Sequence, residues 1–459
     1  MPGVTAWEDD PHSSSDAEPV GRPVPDLGHP RLGLSMVGRQ PAARAYPAGT
    51  HGFRYWNAAD ALARAVGYWG RIVPGAARWH SGRPLVVDLD AGEDLNAYYD
   101  RQELCFFHAT VRGVAVYSGE SPDVLCHELG HALLDAVRPQ LWNAASIEVA
   151  ALHEAFGDIS AMLSALDLPS IREDVLAGTG GRLSRASRVS RLAEQLGWAI
   201  RQLHPDAVDP DCLRNAVNSF FYRQPESLPP MAPASVLSSE PHSFSRVFTA
   251  AWLESLAGMS EVRGTGGDAL ASAVHDAGRL LIGAVGTARI ASNYFAQVAA
   301  GLLVADQRLT RGTYRAAIRR AFVGRGILSM SSAADIVGAR RRREAGTPGP
   351  REERLRAIEV PIDGRAYGLR LRRLLVEAPL GATRWTAASA ALDLGPLAPA
   401  TPDRASRAFV EDLLRRGRVE TGGLHRNAVE PPRGGRATHA LVREGRRVRL
   451  VRRRFHAQP

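Results

Sequence analysis

The sequence predicts an α+β protein of two lobes with a small basic appendage, and three observations carry that prediction. Strand-like patterning is concentrated near residues 83–117. Helical periodicity then dominates as far as about residue 323. Finally, the stretch SSAADIVGARRRREAGTPGP at 331–350 reads as a linker and sets off a last quarter of different charge. The expected order is a disordered leader (1–50), a mixed α/β lobe (51–165), a helical lobe (166–330), the linker (331–350) and a basic α+β appendage (351–459).

Charge supports the division. The 459 residues carry 57 Lys+Arg against 48 Asp+Glu, a formal +9, and contain no lysine. Residues 331–459 hold 27 of the arginines and 14 of the acids, so the excess lies there and residues 1–330 are mildly acidic. That distribution weakens any reading of the whole chain as a nucleic-acid binder. Three cysteines form no disulfide framework. The N-terminus lacks a charged n-region and an apolar h-region, and no apolar run suggests a membrane span. A cytoplasmic protein is expected.

Taken in order, residues 1–50 are rich in Pro, Gly, Ser and Asp and read as a leader without fixed structure. Asn57–Tyr68 has helical spacing, RPLVVDL (83–89) reads as a buried strand, and 103–117 as one or two more. A helix opens at Ser121-Pro122 and stops before Pro139. A second runs from about 146 to 166. Further helices are expected near 186–203, 209–219, 243–258, 268–304 and 311–323. The last quarter reads as strand (355–376), helix (404–417) and a terminal hairpin.

The chemical signal is HELGH, His127 to His131. On a helix, positions i and i+4 stand one above the other, so both imidazoles reach one zinc ion with Glu128 beside them. A catalytic zinc needs a third protein ligand and an open position. Leu134 and Val137 stand where a glycine and a histidine would complete the metzincin pattern, which excludes it. LHEAFGDIS on the next helix offers Glu154 as third ligand. Asp158, four residues on, can hold a ligand histidine in the right tautomer. Asp135 lies on the face of His131 and is expected as further support around the metal.

These residues resemble the thermolysin-like zinc peptidases, within the gluzincins. HELGH followed by HEAFGD is similar to that family's HExxH and NExxxD pair, and Asp135 falls where the family also has aspartate. Asn96-Ala97-Tyr98-Tyr99 resembles the edge strand that pairs with substrate backbone. Leu213-Arg214-Asn215 resembles the segment whose arginine grips a substrate carbonyl, and EPHSFSRVF, with His242 and Ser245, the segment whose histidine stabilises the tetrahedral intermediate. The resemblance covers about residues 53–325 and implies a two-lobed thermolysin-like catalytic unit. It implies zinc-assisted hydrolysis of peptide or protein substrates, with Glu128 as general base and His242 and Arg214 stabilising the oxyanion and substrate. Val124 and Leu213 match positions lining the pocket after the scissile bond.

The sequence also departs from that family. No tyrosine occurs between Tyr117 and Tyr222, so its oxyanion tyrosine has no counterpart, and Trp142 is the candidate to fill the space. Leu237 replaces the acid that orients the histidine, for which Glu240 can substitute. His153 replaces an asparagine. Of the family's calcium ligands, Asp123 alone matches a position. The alternative is a weakly catalytic zinc scaffold whose basic C-terminal region, with ARRRRE (339–344) and VRRRF (451–455), binds nucleic acid, another polyanion or an acidic partner.

Overall fold

A computed structural model describes residues 3–333, 358–381, 400–425 and 437–456. The chain opens with an antiparallel pair, β1 (Gly3–Ala6) and β2 (Val20–Pro23). Val4 packs on Tyr55, Trp56 and Ala59 of α1 (His51–Gly70). Trp7 N donates to Asn57 Oδ1 at 2.8 Å, and Arg22 pairs with Asp60 at 3.2 Å. Residues 3–50 are therefore not the disordered leader expected from composition. Their few apolar side chains and their charges find partners far along the chain, which composition alone does not register.

The main sheet contains β3 (Leu34–Met36), β4 (Leu85–Asp88), β5 (Ala97–Tyr99) and β6 (Glu103–Phe106). β3, β4 and β6 run parallel, and β5 is antiparallel to β6. In β4 the alternation is direct: Leu85 and Val87 are fully buried while Val86 and Asp88 are half-buried. β7 (His108–Val111) and β8 (Val114–Tyr117) form a separate hairpin. Its two turn residues, Arg112 and Gly113, both take positive φ, the requirement of a type I′ turn.

Two helices then carry the motif residues. Ser121 caps α2 (Pro122–Val137) by accepting from Val124 N, and Pro122 occupies the first helical position. Ser146 caps α3 (Ile147–Leu166) in the same way. The helices cross at two glycines. A Cβ on Gly130 would lie 2.9 Å from Gly157 Cα, and one on Gly157 would lie 2.7 Å from the His127 ring. Absent side chains thus set the close approach. Trp69 of α1 backs the crossing, stacking on Phe156 and donating to Ser160 Oγ at 3.0 Å. By length and composition α3 is apolar enough to cross a membrane, but every residue in it is buried in the core.

The second lobe is mainly helical: α4 (Pro169–Thr179), β9 (Arg191–Leu192), α5 (Glu194–Leu203), β10 (Arg214–Asn215), α6 (Pro241–Arg263), α7 (Gly267–Thr287), α8 (Tyr294–Thr310) and α9 (Arg315–Gly324). Three expectations change. Pro169 starts α4 rather than only ending α3. The helix expected over 209–219 is extended chain. There the Asp209 side chain accepts from Asn215 N at 2.7 Å and Leu213 N bonds Leu192 O, offering the backbone partners a helix would lack. Over 268–304 the chain breaks at 288–293, where Ser292 N donates to Leu380 O at 3.0 Å.

The C-terminal quarter forms a second sheet in the order β11 (Ile358–Ile362), β12 (Leu374–Ala378), β15 (Arg447–Arg452), β14 (His439–Glu444), β13 (Val419–Glu420), with helix α10 (Pro402–Arg415). It docks on both lobes. Ala145 N donates to Glu377 O at 2.7 Å, and Arg416 pairs with Glu240 at 3.3 Å. A final strand, β16 (Phe455–His456), leaves this sheet and pairs antiparallel with β5. Most of the 331–350 linker and all of 339–344 lie outside the described residues. In VRRRF, Arg452 and Phe455 are buried rather than solvated.

Candidate metal centre

The close crossing of α2 and α3 brings three motif atoms together. Glu154 Oε2 lies 3.4 Å from His127 Nε2 and 3.7 Å from His131 Nε2. Two ligands each about 2.0–2.1 Å from one tetrahedral ion stand about 3.3–3.4 Å apart. The set therefore fits a zinc ion. A Glu128 oxygen also lies within 4.8 Å of the imidazoles. Both carboxylates are thus near the two imidazoles, and Glu154 Oε2 faces both Nε2 atoms from the neighbouring helix. His127 Nε2, His131 Nε2 and both Glu128 oxygens are buried and accept or donate no hydrogen bond among the described residues. So many buried polar atoms without partners are costly unless a cation meets them.

The other ring nitrogens are spoken for. His127 Nδ1 meets Asp158 Oδ1 at 3.0 Å, which directs Nε2 toward the centre. Asp158 is itself clamped by Arg214, Nη2 to Oδ1 at 2.8 Å and Nε to Oδ2 at 3.3 Å. Burial opposes its charge, but Arg214 and His127 prevail and hold it at about 2. His131 Nδ1 lies 3.3 Å from His153 Nδ1, so His153 takes the orienting place. Burial holds His131 down at about 3, neutral and able to ligate. In the metal-free chain burial also opposes charge on His127, yet Asp158 and Glu154 raise it to about 9. Burial pushes Glu128 up to about 8, close to the range a general base needs.

From the helical lobe, His242 in the first turn of α6 brings Nε2 to 3.1 Å from Glu154 Oε2. Glu240, the N-cap of α6, holds His242 Nδ1 at 2.8 Å and so serves in place of an acid at Leu237. Burial works against the imidazolium, but Glu154 and Glu240 outweigh it and raise His242 to about 10. Beside it opens a cavity of about 300 Å³ lined by Leu213, Arg214, Met231, His242, Arg246 and Arg418.

Some expected residues lie elsewhere. Asp135 accepts from Tyr99 Oη at 3.1 Å and from Arg101 Nε and Nη2 at 3.0 and 2.6 Å, so it braces the sheet and not the metal ligands. Val124 is buried in the core and does not line the cavity that Leu213 lines. Asn96 borders the site through His456 while Ala97 is buried in the sheet, and β5 is not an open edge. Phe455 pairs opposite Tyr99 and His456 opposite Tyr98. Trp142 lies in the cleft wall and donates Nε1 to Arg452 O at 3.2 Å.

Sequence reading missed the partners that come from far away. Arg452, Phe455 and His456 reach the site from the C-terminal sheet. At the first turn of α2, Asp10, Asp123 and Glu194 bring carboxylate oxygens within 4.8 Å of one another, with Asp9 adjacent. Only Asp123 had been marked. Burial and mutual repulsion push Glu194 up to about 11, and burial raises Asp10 to about 6. Such a group must be relieved by protons or by a cation.

No family model and no curated protein matches the chain. Among solved structures, the chain is similar to the precursor of protealysin, a metalloproteinase from Serratia proteamaculans. The TM-score is 0.41 and the identity 15%, over 71% of this chain and 88% of that one.

Proposed function

We propose that the chain is a zinc-dependent peptidase whose metal is held by His127, His131 and Glu154. The supporting observation is the convergence of two buried imidazole nitrogens without hydrogen-bond partners on Glu154 Oε2, at 3.4 and 3.7 Å, beside a carboxylate raised to about 8. A zinc ion held there would supply a Lewis acid and would lower the pKa of a water from 15.7 to about 7.

The protein's own groups do the rest. Glu128 takes a proton from the attacking water at a carboxylate oxygen and passes it to the leaving amine. His242, kept charged by Glu154 and Glu240, donates from Nε2 to the developing oxyanion, a role typically worth about 3–4 kcal/mol. Asp158 fixes the His127 tautomer and anchors Arg214 at the cavity wall. With β16 withdrawn, β5 would offer backbone groups to an extended peptide, and Leu213 gives the cavity an apolar wall. With Trp142 turned to Arg452 O, His242 carries oxyanion stabilisation without a tyrosine, which predicts slow turnover.

The test is elemental analysis for zinc together with peptide cleavage by wild type and Glu128→Ala. The variant should retain zinc and lose at least ~10²-fold in cleavage; equal cleavage would remove Glu128 from the mechanism. The filled cleft favours a second reading, a zinc scaffold with little activity. Stoichiometric zinc with no cleavage by any variant would select it.

A further inference from the structure

We propose that Arg452–His456 is a built-in occupant of the cleft: it lies where an extended peptide would lie and keeps the site closed until displaced. This rests on the peptidase reading for what the cleft is, but its geometry is independent of catalysis.

The backbone of β16 extends the sheet at β5, the way a sheet edge takes up a peptide strand. At the centre, His242 Nε2 donates to His456 O at 2.6 Å. The donor assigned to a substrate's carbonyl oxygen is thus engaged by a peptide carbonyl of the chain itself. Asn96 Nδ2 meets His456 Nδ1 at 2.8 Å, binding the residue from the other side. The Phe455 ring stacks at 4.1 Å on His153 and 4.6 Å on His131, with Trp142 edge-on at 5.4 Å. It covers a metal ligand.

Upstream, Trp142 Nε1 donates to Arg452 O, Arg452 Nε returns a bond to Trp142 O at 3.0 Å, and Arg452 N donates to Asn143 Oδ1 at 3.2 Å. Only about 30 Å³ remains in the space lined by Glu154, His242, Arg452, Phe455 and His456. The fit is that of a bound peptide.

One feature argues for a reversible cover. The Arg452 guanidinium is buried, stacked 4.0 Å over Phe455, and makes no ion pair among the described residues. Withdrawing a charge from water without a direct ion pair is unfavourable, and Glu154 acts on it only from a distance, so displacement recovers hydration that docking forfeits. The occupant also describes what the cleft accepts, namely an extended basic segment followed by an aromatic residue.

The experiment uses the full chain loaded with zinc and compares wild type, Phe455→Asp and the conservative Phe455→Tyr. The probes are the rate of zinc loss to a chelator and the binding of a fluorescein-labelled peptide with the sequence of residues 452–456. Phe455→Asp should lose zinc at least tenfold faster and bind the peptide at least tenfold more tightly, with Phe455→Tyr close to wild type. If Phe455→Asp does not fold, Phe455→Ala is read on the same scale. Equal zinc loss and equal peptide binding in wild type and the folded variant would overturn the proposal. Altered zinc loss and binding with no cleavage of any peptide by either protein would uphold the occupant and remove the peptidase.

Discussion

Helix α2 carries two buried charge centres, one at its first turn around Asp123 and one midway along it at HELGH, and the two are settled in opposite ways. At HELGH, acids and bases alternate: Glu154 lies among His127, His131 and His242, and Asp158 between His127 and Arg214. Around Asp123 the group is all carboxylate. Asp9 pairs with Arg188 at 2.7 Å and Arg191 approaches Glu194 at 3.4 Å, yet neither Glu194 oxygen accepts a hydrogen bond among the described residues. The first centre holds Glu154 and Asp158 ionised, Asp158 at about 2, although burial raises Glu128 beside them, and the second holds Glu194 protonated, at about 11. Burial is nearly the same at both. The sign of the neighbours decides the outcome.

The comparison breaks most sharply under substitution of one acid from each centre. Glu154→Ala should reduce zinc from near one per chain to below about a tenth, while Asp123→Ala leaves it intact; elemental analysis after dialysis reads both. Equal loss would erase the distinction between the centres.

A smaller effect follows from pH. Asp10 titrates near 6 in the folded chain, above its ordinary 3.8. Its contribution to stability is therefore present below about pH 4 and lost as pH rises through about 6. The difference between wild type and Asp10→Asn in urea unfolding should change by about 3 kcal/mol between pH 4 and 8. A flat difference would mean that a cation, not a proton, already settles the carboxylates.

The helix crossing that builds the metal centre gives the next prediction. Gly157→Ala places a methyl against the His127 ring and should cost about 1–3 kcal/mol in thermal or urea unfolding, with weaker zinc retention. Unchanged zinc affinity would show that α3 can shift without disturbing its ligands. The smallest effect should be Tyr222→Phe. Glu148, at the start of α3, is pushed up to about 8 by burial and accepts from Tyr222 Oη at 2.6 Å and Phe295 N at 2.7 Å. It is an isolated acid satisfied by neutral donors, intermediate between the two centres. Losing one donor should cost about 1 kcal/mol.

What could be read in advance follows from distance along the chain. His127, His131, Glu154 and Asp158 were legible because helical spacing places i and i+4 on one face, and Pro122 and Pro139 bracket the first helix. Arg214 and His242 were named by family resemblance, although 214 sits on a short strand rather than the expected helix. Asp135 misled because a shared helix face does not say which neighbour faces it, and Arg101 does. Asp9 and Asp10 looked like solvated charge in a loose leader. Phe455 ends VRRRF, which reads as part of a polyanion-binding region, and His456 carries no signal of its own. In each case the deciding partner lies on a different element, and no periodicity links the two.

The place of β16 has a consequence for synthesis. His456 meets Asn96 across 360 residues of sequence. At about 5–20 residues per second, the strand that completes the sheet is made roughly 20–70 s after β5. Through that interval one edge of β5 presents unpaired backbone groups, an invitation to other extended chains. A chain that folds as it emerges therefore passes through an open form, one that the finished protein reaches only by letting β16 go.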